Sequence, residues 1–258
     1  MINASVVTYN TPVEEVERIQ SLLHASPLVG RVTVIDNTVN NRGYGAAHNI
    51  AIRQSIEEGV RYHLVVNSDV YFDPAVLAEL CRFMDSRPEV AHVMPRVTYP
   101  DGSLQYLCKL LPTPFDLFGR RFLPEALTRR HNERYELRRT GYDKLMNVPY
   151  LSGCFMLLRT DALKEVGLFD ERFFLYPEDI DLTRRLHRRY QTMYYPYCTI
   201  VHDHRRASYK SLRMTWVHIV NMCKYFNKWG WVCDSERRRF NKEVTEAYLT
   251  SPCRQQGR

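Results

Sequence analysis

The chain has 258 residues, enough for one large α/β domain or two small ones, with an ordinary 45% apolar and 25% charged composition. Its longest apolar runs are far too short for a bilayer span. Its seven scattered cysteines form no Cys-x-x-Cys pair and read as reduced thiols rather than a disulfide framework. The net charge of +7 leaves three anionic partners open: nucleic acid, a membrane surface or an anionic substrate. The opening MINASVVTYN lacks a basic region followed by an apolar stretch, so no signal peptide is expected and a cytoplasmic location is.

Residues 3–8 suit a short strand, and Pro12 opens a helical stretch with Val16, Ile19, Leu22 and Leu23 on one side. RVTVID (31–36) reads as a second strand and residues 43–59 as a helix ended by Gly59. YHLVVN (62–67) is a third strand, 74–85 the helix after it, and 90–97 a fourth strand. Strands alternating with helices of a dozen residues predict an α/β fold with a doubly wound, mostly parallel sheet. Ligands of such a sheet lie at the carboxyl ends of its strands, where Asp36 and Asp69 fall.

From about 100 to 147 the pattern breaks. Residues 111–141 carry three prolines and seven arginines with no sustained period, which reads as a mobile excursion, a lid or acceptor loop. Regularity returns with a buried strand at 153–159, a short helix from Asp161 to Gly167, and a helix at 177–190 with Pro177 in its first position. YCTIVH (197–202) is a last strand, and 210–228 and 236–248 are two amphipathic helices forming a C-terminal extension. The division expected is thus 1–211 for the catalytic unit and 212–258 for the extension.

Three groups carry chemistry: Asp69, the Glu178-Asp179 pair, and the run VHDHRRASYKS at 201–211. Singly, each has an ordinary structural explanation. Acids in a first helical turn are favoured by the helix dipole, and a histidine can simply end a strand. Cys198-x-x-x-His202-x-His204 is a poor match to structural zinc spacing. Together, a carboxylate and an imidazole at two strand ends make an oxygen/nitrogen site for Mn²⁺ or Mg²⁺ with positions left for phosphate oxygens. Neighbouring Arg206 and Lys210 add donors for a diphosphate, and a separate carboxylate supplies a general base.

The stretches SVVTYN, VIDN, NNRGYGAAHNIAI, VVNSDVYF, LSGCFMLLRTDALKEVGLFDERFFLYPEDIDLTRRL and IVHDHRRASYKS, in this order over roughly 3–211, resemble bacterial inverting glycosyltransferases of family 2 with the GT-A fold. The rhamnosyltransferase-like members of polysaccharide and O-antigen assembly are the most similar. The resemblance implies that Asp69 is the second acid of an Asp-x-Asp metal motif whose first position is Asn67 here, and that His202 supports the metal or diphosphate. Asp179 matches the catalytic base, with Glu178 beside it, and Asp36 the acid that reads the nucleobase. A carboxylate accepts the N3–H of uracil or thymine, so the implied donor is a UDP- or dTDP-sugar. The nucleotide-sugar side would include Thr8, Tyr9, Asn10, Asn37, Gly43, Tyr44, Gly45, Asn49, Asn67, Ser68, Ser152, Gly153, Arg206 and Lys210. The glycines would allow close approach of backbone to nucleotide.

In the implied reaction Asp179 takes the proton of an acceptor hydroxyl on a cell-envelope glycan or a polyprenyl-diphosphate-linked acceptor. Between Arg205 and Lys242, ten basic residues face two acids and interleave with aromatics. That region suits the inner face of a cell membrane, and equally packing on the core or in a homodimer. A dinucleotide-binding oxidoreductase is disfavoured because Gly43-x-Gly45 is incomplete at His48 and follows the second strand. A sugar nucleotidyltransferase lacks its glycine-rich basic loop after strand one, and a nucleic-acid-binding role rests on charge alone.

Overall fold

The computed structural model describes residues 1–116, 125–204 and 212–249. Among these residues ten strands form, β1 to β5 at Ile2–Thr8, Val29–Asp36, Tyr62–Val66, Val70–Tyr71 and Val90–Thr98. The later ones are β6 Cys108–Lys109, β7 Met146–Asn147, β8 Tyr150–Leu151, β9 Phe155–Arg159 and β10 Gln191–His202. Among the described residues the helices are α1 Val13–His24, α2 Tyr44–Glu57, α3 Ala75–Asp85, α4 Glu125–Tyr135, α5 Thr160–Val166, α6 Glu178–His187, α7 Leu212–Trp229 and α8 Ser235–Tyr248.

The main sheet runs β2-β1-β3-β9-β5-β10-β4, with β7 also on β10, while β6 and β8 form a separate ribbon. Strands β2, β1, β3, β5 and β10 point one way. The 153–159 strand runs against both neighbours, β3 and β5. Connectivity explains this: the chain leaves β5 at its carboxyl end, makes the 100–147 excursion, and re-enters from that same end, so no crossover is needed. The turn before β9 is thereby delivered to the edge where β1, β2, β3 and β10 end.

Local chemistry accounts for most elements. Pro12 caps α1, Glu14 and Glu15 occupy its first turn, and Ile19 and Leu23 are buried one turn apart. Gly59, at φ 66°, follows the last turn of α2 and its N–H closes on the Ile56 carbonyl. Helix α6 has acids in its first turn and Arg184, Arg185 and His187 in its last, with Pro177 one place outside it.

Two expectations change. The described part of the 100–147 excursion is packed: Leu110, Leu111, Tyr135, Leu137, Tyr142 and Met146 are all buried. Within it α4 forms, hidden from periodicity because EALTRRHNERY is almost wholly polar. The last strand has twelve residues rather than six; a register irregularity against β5 between Tyr195 and Thr199 absorbs Pro196, which could not donate to a regular ladder.

Helices α7 and α8 join the body through Tyr225, Phe226 and Phe240, which pack with Leu111, Tyr150, Phe173 and Ile180. The packed face of α7 includes Met222, Tyr225 and Phe226, while Trp216 is 66% exposed. Arg184 is buried on α6 and donates two bonds to Asp234, at 2.8 and 2.7 Å, and one to Glu236 at 2.8 Å. Its guanidinium also lies 4.1 Å from the Trp229 ring. Among the described residues, no helix is long and apolar enough to cross a membrane.

Candidate active site

The site assembles at the carboxyl edge of the sheet. Asn67 follows β3, its N–H held by the Cys154 carbonyl at 3.0 Å, and Asp69 lies in the tight turn into β4. Because β4 pairs antiparallel with the end of β10, Val70 faces His202 across the ladder. His202 Nε2 lies 3.3 Å from Asp69 Oδ1 and 3.5 Å from Asn67 Nδ2. His204, two residues on in extended chain, falls on the same side. Its ring centroid is 5.3 Å from that of His202.

One ligand atom each from Asp69, His202 and His204 lie within 4.8 Å of one another. Asp69 Oδ1 is buried without a hydrogen-bond partner. Gln105, buried beneath, holds His202 at two points: its Oε1 is 3.0 Å from the ring Nδ1, and its Nε2 donates to the backbone carbonyl at 2.6 Å. With Nδ1 as donor, Nε2 is the nitrogen that faces Asp69. Burial disfavours the charged imidazole, while the Cys154 sulfur and Asp69 favour it, and the balance raises it to about 10. With the proton of His202 Nε2 given up to solvent, the Asp69 carboxylate and the two imidazoles are a donor set that fits a divalent cation such as Mn²⁺. Cys198 is not part of this group.

On the other side, Glu178 and Asp179 open α6 and are both buried. Asp179 Oδ2 accepts the Gly153 N–H at 2.9 Å and Oδ1 its neighbour Ile180 N–H at 2.7 Å. Burial raises Asp179 to about 6, against the opposing pull of these N–H groups and Lys109. Glu178 is pushed well above the carboxylate range, by burial first and then by Asp179, and its Oε2 has no partner. Asp179 is therefore the ionised member at neutral pH and Glu178 the protonated one.

Tyr44 joins the halves. Its hydroxyl lies 2.9 Å from Asn67 Oδ1 and 2.8 Å from the Gly153 carbonyl. It has one proton for two acceptors, so the opposite orientation of the Asn67 amide satisfies the chain: Asn67 Nδ2 donates to Tyr44, and Tyr44 to Gly153. A Cβ at Gly153 would sit 3.2 Å from Asp179 Cβ, so a side chain there would press directly on the acid. The three side chains expected to converge, Asp69, Asp179 and His202, do so through the path His202–Asn67–Tyr44–Gly153–Asp179.

Other expected residues are placed differently. Asp36, at the end of β2, is exposed and lowered by its bonds to Thr38. Thr8 is buried and paired with it in register, and its carbonyl accepts the Asn37 N–H. Tyr9 is exposed, and Asn10, at φ 51°, donates its N–H to Thr38. Asn37 is buried with Oδ1 unpartnered. These residues cluster at the adjoining strand ends. Ser152 is half-buried beside Gly153.

Asn49, Gly43, Gly45 and Ser68 have other employment. The amide of Asn49 is buried and bonded to Phe169 and Glu171. A Cβ at Gly43 would meet the Phe174 carbonyl at 2.4 Å, and one at Gly45 would meet Phe169 at 2.8 Å. Protein, not open ligand space, demands both glycines. The Ser68 hydroxyl turns away to Glu15. Arg206 and Lys210 lie outside the described residues.

Sequence reasoning missed Gln105, whose irregular surroundings gave no signal, and passed over His204, although the His-x-His spacing at a strand end was the signal. Within the C-terminal region left open to a membrane or to core packing, Trp229 packs inward: its indole N–H donates to buried Asp181 at 2.8 Å, and Arg184 and Arg188 stack on its ring.

The open, mostly parallel sheet, with a carboxylate–imidazole cluster and a buried acid pair at one edge, has the GT-A fold of solved glycosyltransferases. GalNAc-T7, solved with UDP, GalNAc and Mn²⁺, superposes with TM-score 0.60 at 11% identity, covering 96% of this chain and 58% of that one. The mannosyltransferase PcManGT of Pyrobaculum calidifontis, in complex with GDP-Man and Mn²⁺, gives 0.52 at 12% identity, covering 97% and 75%. At those identities the likeness is one of fold.

The sequence profile described as glycosyltransferase like family 2 matches residues 4–218, and the chain belongs to that family. It is 30% identical over 178 residues to the N-acetylglucosaminyl-diphospho-decaprenol L-rhamnosyltransferase of Mycobacterium tuberculosis (strain CDC 1551 / Oshkosh). That alignment covers 63% of this chain and 56% of the relative, so the chain spans about half of it. Family membership leaves the oxidoreductase, nucleotidyltransferase and nucleic-acid readings without support.

Proposed function

We propose that the protein transfers a sugar, with inversion, from a UDP- or dTDP-sugar to a hydroxyl of a polyprenyl-diphosphate-linked acceptor or a related cell-envelope glycan. The observation that carries this reading is the convergence of Asp69, His202 and Asp179 on one strand edge. The rhamnosyltransferase name of the curated relative supports rhamnose as the donor sugar and a lipid diphosphate as the acceptor.

In this mechanism Asp179 holds the acceptor hydroxyl as a hydrogen-bond acceptor and takes its proton as the oxygen attacks the anomeric carbon. The N–H groups of Gly153 and Ile180 keep the carboxylate ionised and fix its direction. Glu178, protonated by burial, is a poor nucleophile, which favours one displacement and hence inversion. Asp36 accepts from the pyrimidine N3–H, and Thr8, Tyr9, Asn10 and Asn37 line the same strand ends. Asp69, His202 and His204 would hold Mn²⁺ or Mg²⁺, which when bound supplies Lewis-acid stabilisation of the leaving diphosphate. Arg206 and Lys210 are proposed to add charge there.

A lipid-linked acceptor supports a peripheral position for the protein at the inner membrane face. With Trp229 employed inside, Trp216 on α7 and Trp231 in the turn after it are the exposed tryptophans proposed for such contact. Nucleotide titration by calorimetry tests the donor site. UDP or dTDP should bind more tightly with Mn²⁺ than without, and Asp69→Ala should remove that difference. Equal binding of all nucleotides, indifferent to metal, would overturn the assignment.

A further inference from the structure

The turn that carries Asp69 is held from outside the cleft by α1. Arg18 donates from Nη1 to the Val70 carbonyl at 2.9 Å and from Nη2 to the Ser68 carbonyl. These are the carbonyls immediately before and after Asp69. Glu15, one turn earlier on the same helix face, accepts the Ser68 hydroxyl at 2.6 Å. The Arg18 guanidinium also lies flat against Tyr71, 3.6 Å from its ring centroid. That stacking removes the guanidinium from water on one face and restricts its plane. The Asp69 carbonyl itself accepts from Asp203 N–H at 2.9 Å, and the Asn67 carbonyl from Val70 N–H at 3.4 Å. Every carbonyl from 67 to 70 is thus engaged, and two of the four are engaged by one arginine side chain.

We propose that Arg18, assisted by Glu15, is a positioning residue that sets the direction of the Asp69 carboxylate and so the affinity of the site for a divalent cation. The inference rests on the metal role given to Asp69 above. Of the two peptide planes that meet at the Asp69 Cα, Arg18 fixes the one before it through the Ser68 carbonyl, and Asp203 N–H holds the one after it through the Asp69 carbonyl. The second prong of Arg18, on the Val70 carbonyl, fixes the next plane along, and an ammonium cannot span two carbonyls in this fixed geometry. An acid in a turn without such a clamp would sample several directions, and its pairing with His202 would loosen. Arg18 touches neither donor nor acceptor in this scheme. It acts through the backbone of residues 68–70.

The test is Mn²⁺ binding, measured by electron paramagnetic resonance and calorimetry with Mn²⁺ alone and with Mn²⁺ plus UDP. The proteins compared are the unaltered chain, Arg18→Met, Arg18→Lys, Glu15→Gln and Asp69→Ala. Loss of an outer partner of a metal ligand typically weakens binding by about 10- to 100-fold, so Arg18→Met should lose at least about tenfold. Arg18→Lys should fall between it and the unaltered protein. If Arg18→Met does not fold, Arg18→Lys and Glu15→Gln carry the comparison. Folded variants that melt earlier yet bind Mn²⁺ within about twofold of the unaltered chain would show a purely structural strap and end the proposal. If the unaltered chain and Asp69→Ala bind Mn²⁺ alike, the metal role itself fails, and this inference with it.

Discussion

The buried acid pair makes a prediction that separates its two members. Asp179 is raised to about 6 by burial, so its ionised fraction falls from about 90% at pH 7 to about 10% at pH 5, a loss of roughly tenfold. The rate of sugar transfer at low donor and acceptor concentration should therefore drop about tenfold over that interval. Glu178, held protonated, has no charge to lose at these pH values. Glu178→Gln keeps a neutral group of similar shape, so it should retain both the activity and the acid limb. Asp179→Asn should lose on the order of 10²–10⁴ in rate with donor binding intact.

Stability supplies a second readout with its own sign. The folded value of Asp179 lies above its ordinary 3.8, so its contribution is fully present below 3.8 and is lost as pH rises through about 6. Between pH 5 and pH 8 that loss comes to roughly 1.4 kcal/mol. Relative to the unaltered protein, Asp179→Asn should gain about that much over the interval in urea denaturation. A flat rate between pH 7 and 5, or a Glu178→Gln variant as dead as Asp179→Asn, would refute the assignment of charge within the pair.

Further outcomes are expected elsewhere. Arg184→Met strands buried Asp234, while Glu236 keeps its bond to Arg188, and should cost about 3–5 kcal/mol in chemical denaturation, a fall in Tm on the order of 10 °C. Adding Asp234→Asn should recover part of this, because asparagine removes the unpaired charge yet still caps α8; no recovery would mean the pair is not what holds the helices. Tyr44→Phe deletes the hydroxyl between Asn67 and the Gly153 carbonyl, so transfer activity and Mn²⁺-dependent UDP binding should weaken together, and loss of only one would break the proposed link. Gly153→Ala puts a methyl 3.2 Å from Asp179 Cβ, and should lower kcat more than it lowers UDP affinity.

The amino-acid sequence by itself determined the parts that depend on near neighbours. The apolar runs of β1, β2, β3 and β5, the stops at Gly59 and Gly167, and the acids opening α6 are local signals, and each element formed where they stand. The acids at strand ends were legible for the same reason, since the end of a strand in a parallel sheet is already a statement about where it lies. Tertiary structure alone decided the rest. The direction of β9 (Phe155–Arg159) depends on which edge the chain re-enters from, long after β5 ends at Thr98. Gln105 reaches His202 only because the excursion folds back onto the sheet, and Arg18 reaches the Asp69 turn only because α1 crosses beside β4. Gly43, Gly45 and Asn49 looked like ligand-side residues, but their neighbours are Phe174 and Phe169, at least 120 residues away. Such contacts form when buried surfaces close on one another, and no pattern among adjacent residues encodes which distant side chain will fill the space.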